Sequence, residues 1–221
     1  NFFIFPSFFY LVCHINKRSK GIYRKKPYKT NFFIFGLLFG FGFYLSGTSW
    51  IVNSLTFDEN FKVLIPFSII LLPLFLSLFF ALPVLFIGSY LKLNLSSLFI
   101  FSGSLAFSDY IRAKILTGFP WNLWAYSTSQ FNEIIQIINL IGIHSYNFFV
   151  IIIYTLPIVI FIKINILKKI IILTTTFLFI LSFYIYGNYE INKNIKIIKN
   201  NKKEIFVKVI SPNFELRYGL K

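Results

Sequence analysis

Residues Val63 to Leu91 read V-L-I-P-F-S-I-I-L-L-P-L-F-L-S-L-F-F-A-L-P-V-L-F-I-G-S-Y-L, an apolar run without one charged side chain. A hydrocarbon core about 30 Å thick is crossed by about 20 helical residues at 1.5 Å rise each, so this stretch is long enough to span a bilayer. Pro66, Pro73 and Pro83 lie within it and predict a tilted or kinked span whose first turn sits in the interface. The same criterion applied outward finds Asn31 to Leu55 before it and Leu95 to Ile111, Gly142 to Ile162 and Ile170 to Gly187 after it, with a shorter run from Asn1 to Ile15. The fold predicted is an all-α polytopic membrane bundle of about six transmembrane helices, occupying a transmembrane domain over residues 1–187.

Composition excludes the other broad classes. The chain is 57% hydrophobic and 13% charged over 221 residues, with a mean hydropathy of +0.72. A soluble globular domain carries about 25% charged residues, and a disordered chain more. Methionine is absent and the chain opens inside an apolar run, so it reads as a fragment of a longer protein. Cys13 has no second cysteine to pair with and lies among apolar residues, which predicts a buried structural thiol.

The net charge of +15 would point to nucleic acid in a soluble protein, but its placement points to a membrane. Lys17, Arg18, Lys20, Arg24, Lys25, Lys26 and Lys29 crowd one linker between two apolar runs, the pattern of a cytoplasmic loop. Alternation from there puts Lys92 and the Lys163, Lys168, Lys169 linker inside, and Thr56 to Lys62, with Asp58 and Glu59, outside. Residues 188–204 conflict: they hold Lys193, Lys196, Lys199, Lys202 and Lys203, yet fall outside. They are read as a periplasmic connector to a translocated domain, where the charge rule binds less. From residue 205 the period changes. I-F-V-K-V-I, ended by Ser211, Pro212 and Asn213, reads as a strand and a turn, and a lone strand implies a second domain continuing past Lys221.

Chemistry-bearing residues are scarce. No G-x-S-x-G, phosphate-binding loop, H-E-x-x-H or C-x-x-C occurs, and His14 and His144 stand far apart without ligand spacing, so no catalytic residue, metal or cofactor is assigned within the chain. The informative stretch is Asp109 to Tyr126, D-Y-I-R-A-K-I-L-T-G-F-P-W-N-L-W-A-Y. Asp109 and Arg112 share a helix face at the end of a span, where charge is costly unless paired or wet. They read either as an ordinary interfacial ion pair or as part of a site. Beyond them Gly118 and Pro120 break the helix, and Phe119, Trp121, Trp124 and Tyr126 collect at headgroup depth, as an aromatic belt or a lipid-facing doorway. Phe131 to Ile141 suits a helix lying in the interface. Gly36 and Gly40 form a GxxxG that predicts close helix packing.

Three stretches resemble the bacterial apolipoprotein N-acyltransferases. Leu116-Thr117-Gly118-Phe119-Pro120-Trp121, preceded by Asp109 and Arg112, is similar to that family's outer loop. Gly36 to Trp50 resembles a glycine-rich span ending in Trp, and V-K-V-I-S-P-N at Val207 to Asn213 resembles the first strand of its nitrilase-like domain. The resemblance implies a bacterial inner-membrane enzyme that moves an acyl chain from a phospholipid to the amine of a lipoprotein's diacylglyceryl-cysteine through a cysteine thioester. It implies a phospholipid donor, an apolipoprotein acceptor, no nucleic acid, and a C-terminal end in the periplasm. It places the Glu, Lys and Cys of the reaction beyond residue 221, in a nitrilase-like domain of which 205–221 is the start. On that expectation Arg112 steers an anionic headgroup, Asp109 orients it, and Phe119, Trp121 and Trp124 line the acyl path. A polytopic transporter or channel is the rival reading, although the chain shows neither paired charges deep in a span nor an internal repeat.

Overall fold

The computed structural model describes residues 1–22, 28–115, 118, 120–200 and 208, without side-chain environments for 18–22 and 28. Its principal helices are α1 (Ile4–Ile22), α2 (Tyr28–Thr48), α3 (Ile65–Ile87), α4 (Leu95–Arg112), α7 (Ile143–Thr155) and α8 (Ile166–Asn200). The single turns α5 (Asn132–Ile135) and α6 (Ile138–Ile141) precede α7. Tight 3-10 turns extend α2 over Ser49–Thr56, lead into α3 over Glu59–Leu64, and close α7 over Leu156–Ile160. Successive helices reverse direction. Residues 49–64 and 113–142 therefore share one end of the bundle, here the upper end, and residues 88–94 and 161–165 the lower.

Four helices are long and apolar enough to cross a membrane: Lys29–Thr56, Glu59–Ile87, Ile143–Ile160 and Ile166–Asn200. The expectation of six spans is thus met by four on this criterion. The other two predicted segments are helical, but α1 runs on into Lys17 and the basic linker, and α4 carries Asp109, Arg112 and a series of serines that lower its hydropathy. There is no strand among the described residues, and the predicted strand over 205–210 lies outside them except for Lys208, which is irregular.

The last span differs from expectation at its far end. Instead of stopping at Gly187, α8 continues to Asn200, a length of about 52 Å at 1.5 Å per residue. Residues 188–200 contain no glycine or proline to stop it, and Lys193 pairs with Glu190 at 3.2 Å along its surface. Phe131 to Ile141 is likewise no single interfacial helix but two turns broken at Gln136 and Ile137.

The GxxxG expectation holds in atomic detail. A Cβ on Gly36 would sit 2.8 Å from Ala81 Cα, and one on Gly40 would sit 2.9 Å from Ser77 Cα. Two small residues one turn apart on α2 thus meet two on α3, which lets the backbones approach closely. Lipid supplies no hydrophobic drive between helices, so such contact is where dispersion accumulates. Phe8 of α1 and Phe39 of α2 stack at 3.8 Å beside this seam, and Phe80 and Phe101 pack around them. Cys13 is buried, as predicted.

Helix α3 stays helical through Pro73 and Pro83. A proline at 83 leaves the Phe79 carbonyl without its usual N–H donor. The Ser108 hydroxyl of α4 donates to that carbonyl at 2.6 Å, so the gap left in one helix is closed by its neighbour.

Candidate functional site

The upper ends of α2, α4 and α7 enclose the predicted charge pair. Arg112 Nη2 donates to Asp109 Oδ1 at 3.0 Å, with the two side chains 1% and 6% exposed. The other carboxylate oxygen accepts from Asn147 Nδ2 of α7 at 2.9 Å. Arg112 Nη1 donates to the Trp121 carbonyl at 2.7 Å, and the guanidinium carbon lies 5.4 Å from the ring centre of Tyr44 on α2. Asn147 Oδ1 in turn accepts from the Ala125 backbone N–H at 3.0 Å. One buried network therefore joins three helices and holds both ends of the segment 121–125.

Local backbone chemistry explains the path between those anchors. Gly118 has φ +81°, in the left-handed region that side chains avoid, and its N–H closes a turn on the Ile115 carbonyl at 2.9 Å. Asn122 also has positive φ, 58°, a conformation asparagine tolerates better than most residues. Its side-chain amide lies against Gly47, in the space a Cβ there would take, so a larger residue would have to displace it. The following 3-10 turn, Trp124–Thr128, is tied to α7 twice, by Ser127 to the Tyr154 hydroxyl at 2.6 Å and by Thr128 to the Tyr146 hydroxyl at 2.8 Å.

The predicted aromatics separate into two environments. Trp124 is buried, stacked on Phe43 at 4.2 Å with Phe5 edge-on at 4.5 Å. Trp121 is 47% exposed and stacks on Trp50 at 5.0 Å, and the Trp50 indole N–H is fixed on the Gly47 carbonyl at 3.0 Å. Two indoles thus form an open platform at the upper end. Phe119 lies outside the described residues, as do Leu116 and Thr117.

Asn147, Tyr44 and Trp50 complete this arrangement, and sequence reasoning did not single out the first two. Asn147 carried the clearer signal: an amide inside the apolar run N-F-F-V-I-I-I needs a buried partner. Tyr44 carried none, since tyrosine is common in this chain. The histidines are not brought together. His14 lies against Tyr10, and His144 meets Tyr110 edge-on at 5.2 Å near the upper end. Among the described residues no group of three His, Cys, Asp or Glu could hold a metal ion. The charges of Asp109 and Arg112 are spent on each other and on backbone, so the cluster can hold a loop in register rather than activate a nucleophile or move a proton.

Comparison with known proteins agrees with this arrangement in extent. Residues 2–156, from α1 to the end of α7, match the family model described as apolipoprotein N-acyltransferase N-terminal domain. A protein of Rickettsia prowazekii named apolipoprotein N-acyltransferase is 32% identical over 180 residues, 81% of this chain and 35% of that protein. Proteins of the same name from Rickettsia bellii and Bradyrhizobium diazoefficiens are 36% and 30% identical, over 54% and 70% of this chain and 24% and 28% of theirs. The chain therefore spans about a quarter to a third of the length of these curated relatives. No solved structure matches it. With the family model covering well over half of the residues, the chain belongs to the apolipoprotein N-acyltransferases, matching their N-terminal domain.

Proposed function

We propose that the chain is the membrane part of a bacterial inner-membrane enzyme that transfers an acyl chain from a phospholipid to the N-terminal amine of a diacylglyceryl apolipoprotein. The observation that carries this reading is the family match over residues 2–156, which contains the whole upper network. In this reading the chain crosses the bilayer six times, with α1 and α4 completing the four more apolar helices, and its upper end faces the periplasm. Residues 188–204 connect to a nitrilase-like domain beginning near 205, and that domain performs the thioester chemistry.

Within the membrane part, Asp109, Arg112 and Asn147 act from inside the bundle, fixing the segment that presents Trp121. Trp121 and Trp50 offer the approaching lipid a rigid apolar platform at headgroup depth, where indole rings are at home. Trp124 supports that platform from the core, and Phe119 lies beside it in sequence. Arg112, with its guanidinium turned inward, acts on a headgroup through the loop it positions. The transporter alternative is disfavoured, because the buried charges are closed into hydrogen bonds and do not line an open path.

The test uses a full-length protein. Arg112→Ala and Trp121→Ala should each slow thioester formation from phospholipid while the catalytic domain stays folded, and unchanged rates in both would remove the upper site from the mechanism. A periplasm-active reporter fused after Lys221 should be active. A reporter active only in the cytosol would overturn the topology and the enzyme reading with it.

A further inference from the structure

At the lower end, opposite the site just described, a cleft of about 480 Å³ opens between α1, the 88–94 turn and the 161–165 turn. Lys17, Lys92 and Lys163 reach it from these three separate segments. None of them has a carboxylate partner among the described residues. The described acidic residues, Asp58, Glu59, Asp109, Glu133 and Glu190, all belong to the upper half of the bundle. Three cations gathered with no counter-charge repel one another, so the cleft attracts an anion.

Two further features narrow the ligand. Asn16 is 4% exposed and lines the cleft; its Nδ2 donates to the Leu91 carbonyl at 2.6 Å, which fixes the amide orientation. Its Oδ1 is buried with no hydrogen-bond partner among the described residues, an acceptor waiting for a donor. Tyr10 and Phe161 form both the wall of this cleft and that of a second, apolar groove of about 460 Å³, which continues along Pro6, Leu11 and Ile158 toward the middle of the bundle. A basic mouth, a buried acceptor and a contiguous apolar groove match the parts of a phospholipid in order.

We propose that this lower cleft binds an anionic phospholipid with a hydroxylated headgroup, such as phosphatidylglycerol. The phosphate lies among Lys17, Lys92 and Lys163, a headgroup hydroxyl donates to Asn16 Oδ1, and one acyl chain occupies the groove past Tyr10 and Leu11. Basic pockets between membrane helices bind lipid headgroups by this charge logic. A zwitterionic choline lipid brings a cation into the same three lysines and offers Asn16 no donor, so it binds more weakly. The site is separate from the upper network and stands whether or not the enzymatic reading does.

The full chain purified in detergent, offered equal phosphatidylglycerol and phosphatidylcholine, should retain the former selectively in native mass spectrometry. Lys92→Gln with Lys163→Gln should cut that preference about twenty-five-fold, since each interfacial lysine contributes about a fivefold preference. Leu11→Trp, which fills the groove and leaves the lysines in place, should also release the lipid. A readout that needs no variant is lysine acetylation of the wild-type chain, where phosphatidylglycerol should shield Lys92 and Lys163 and phosphatidylcholine should not. Equal retention of the two lipids, or equal shielding by both, would overturn the proposal. So would shielding by millimolar inorganic phosphate as complete as that by the lipid, because the groove would then play no part.

Discussion

Replacing Arg112 with Met tests the upper network most directly. The substitution keeps much of the side-chain volume and removes the guanidinium, and with it the 3.0 Å bond to Asp109, the 2.7 Å bond to the Trp121 carbonyl and the contact with the Tyr44 ring. Breaking one partner of a buried ion pair costs about 3–5 kcal/mol, chiefly because the other charge stays behind without compensation. The bond to Trp121 belongs to the same group, so its loss is contained in that figure and not added to it. The decisive comparison is the double variant. Asp109→Asn in the Arg112→Met background removes the stranded charge while keeping an oxygen for the Asn147 amide, and should recover about 2 kcal/mol. Alone, Asp109→Asn should be nearly as harmful as Arg112→Met. Reversible unfolding in mixed detergent, followed by near-ultraviolet dichroism, measures all three. Limited proteolysis within 116–125 should show the loop released in Arg112→Met and partly re-anchored in the double variant. A cost under about 1 kcal/mol for Arg112→Met, or a double variant no more stable than the single, would refute the account of the network as a coupled buried pair.

Other expected outcomes follow from single contacts. Gly36→Val and Gly40→Val should each cost at least the ~1–3 kcal/mol of core overpacking, whereas Gly42→Ala, whose Cβ would meet nothing within 4 Å, should be neutral or stabilising in the same detergent titration. Ser108→Ala should cost about 1 kcal/mol by leaving the Phe79 carbonyl unpaired, and should cost little when combined with Pro83→Ala, which supplies the missing N–H. A cycle with no coupling would show that this hydroxyl does not serve the proline. Trp121→Ala should lose about 0.5–1.5 kcal/mol of stacking on Trp50 and leave the fold intact, with the change confined to indole fluorescence and to lipid-dependent readouts.

Much of the architecture was legible in the order of residues because the bilayer is a severe solvent. An apolar run such as Val63 to Leu91 has few outcomes besides a spanning helix, and the GxxxG of Gly36 and Gly40 names its own packing face. Where α8 ends was not legible. The charges beginning at Glu190 signal departure from the hydrocarbon, but nothing in N-Y-E-I-N-K-N-I-K-I-I-K-N obliges the backbone to leave the helix.

The candidate site divides in the same way. Spacing alone put Asp109 and Arg112 on one helix face, and composition alone collected tryptophans after the Gly118–Pro120 break. Which way the charged pair turns was decided only by the neighbours that two other helices, α2 and α7, bring. Tyr44 lies 68 residues before Arg112 and Asn147 lies 35 after it, yet both close on the same pair. Those contacts turn the guanidinium inward and leave Trp121, not Arg112, on the surface. Local sequence determines which groups must escape lipid, because the cost of burying them unpaired is a property of each group; which partner satisfies them is a property of the packed bundle.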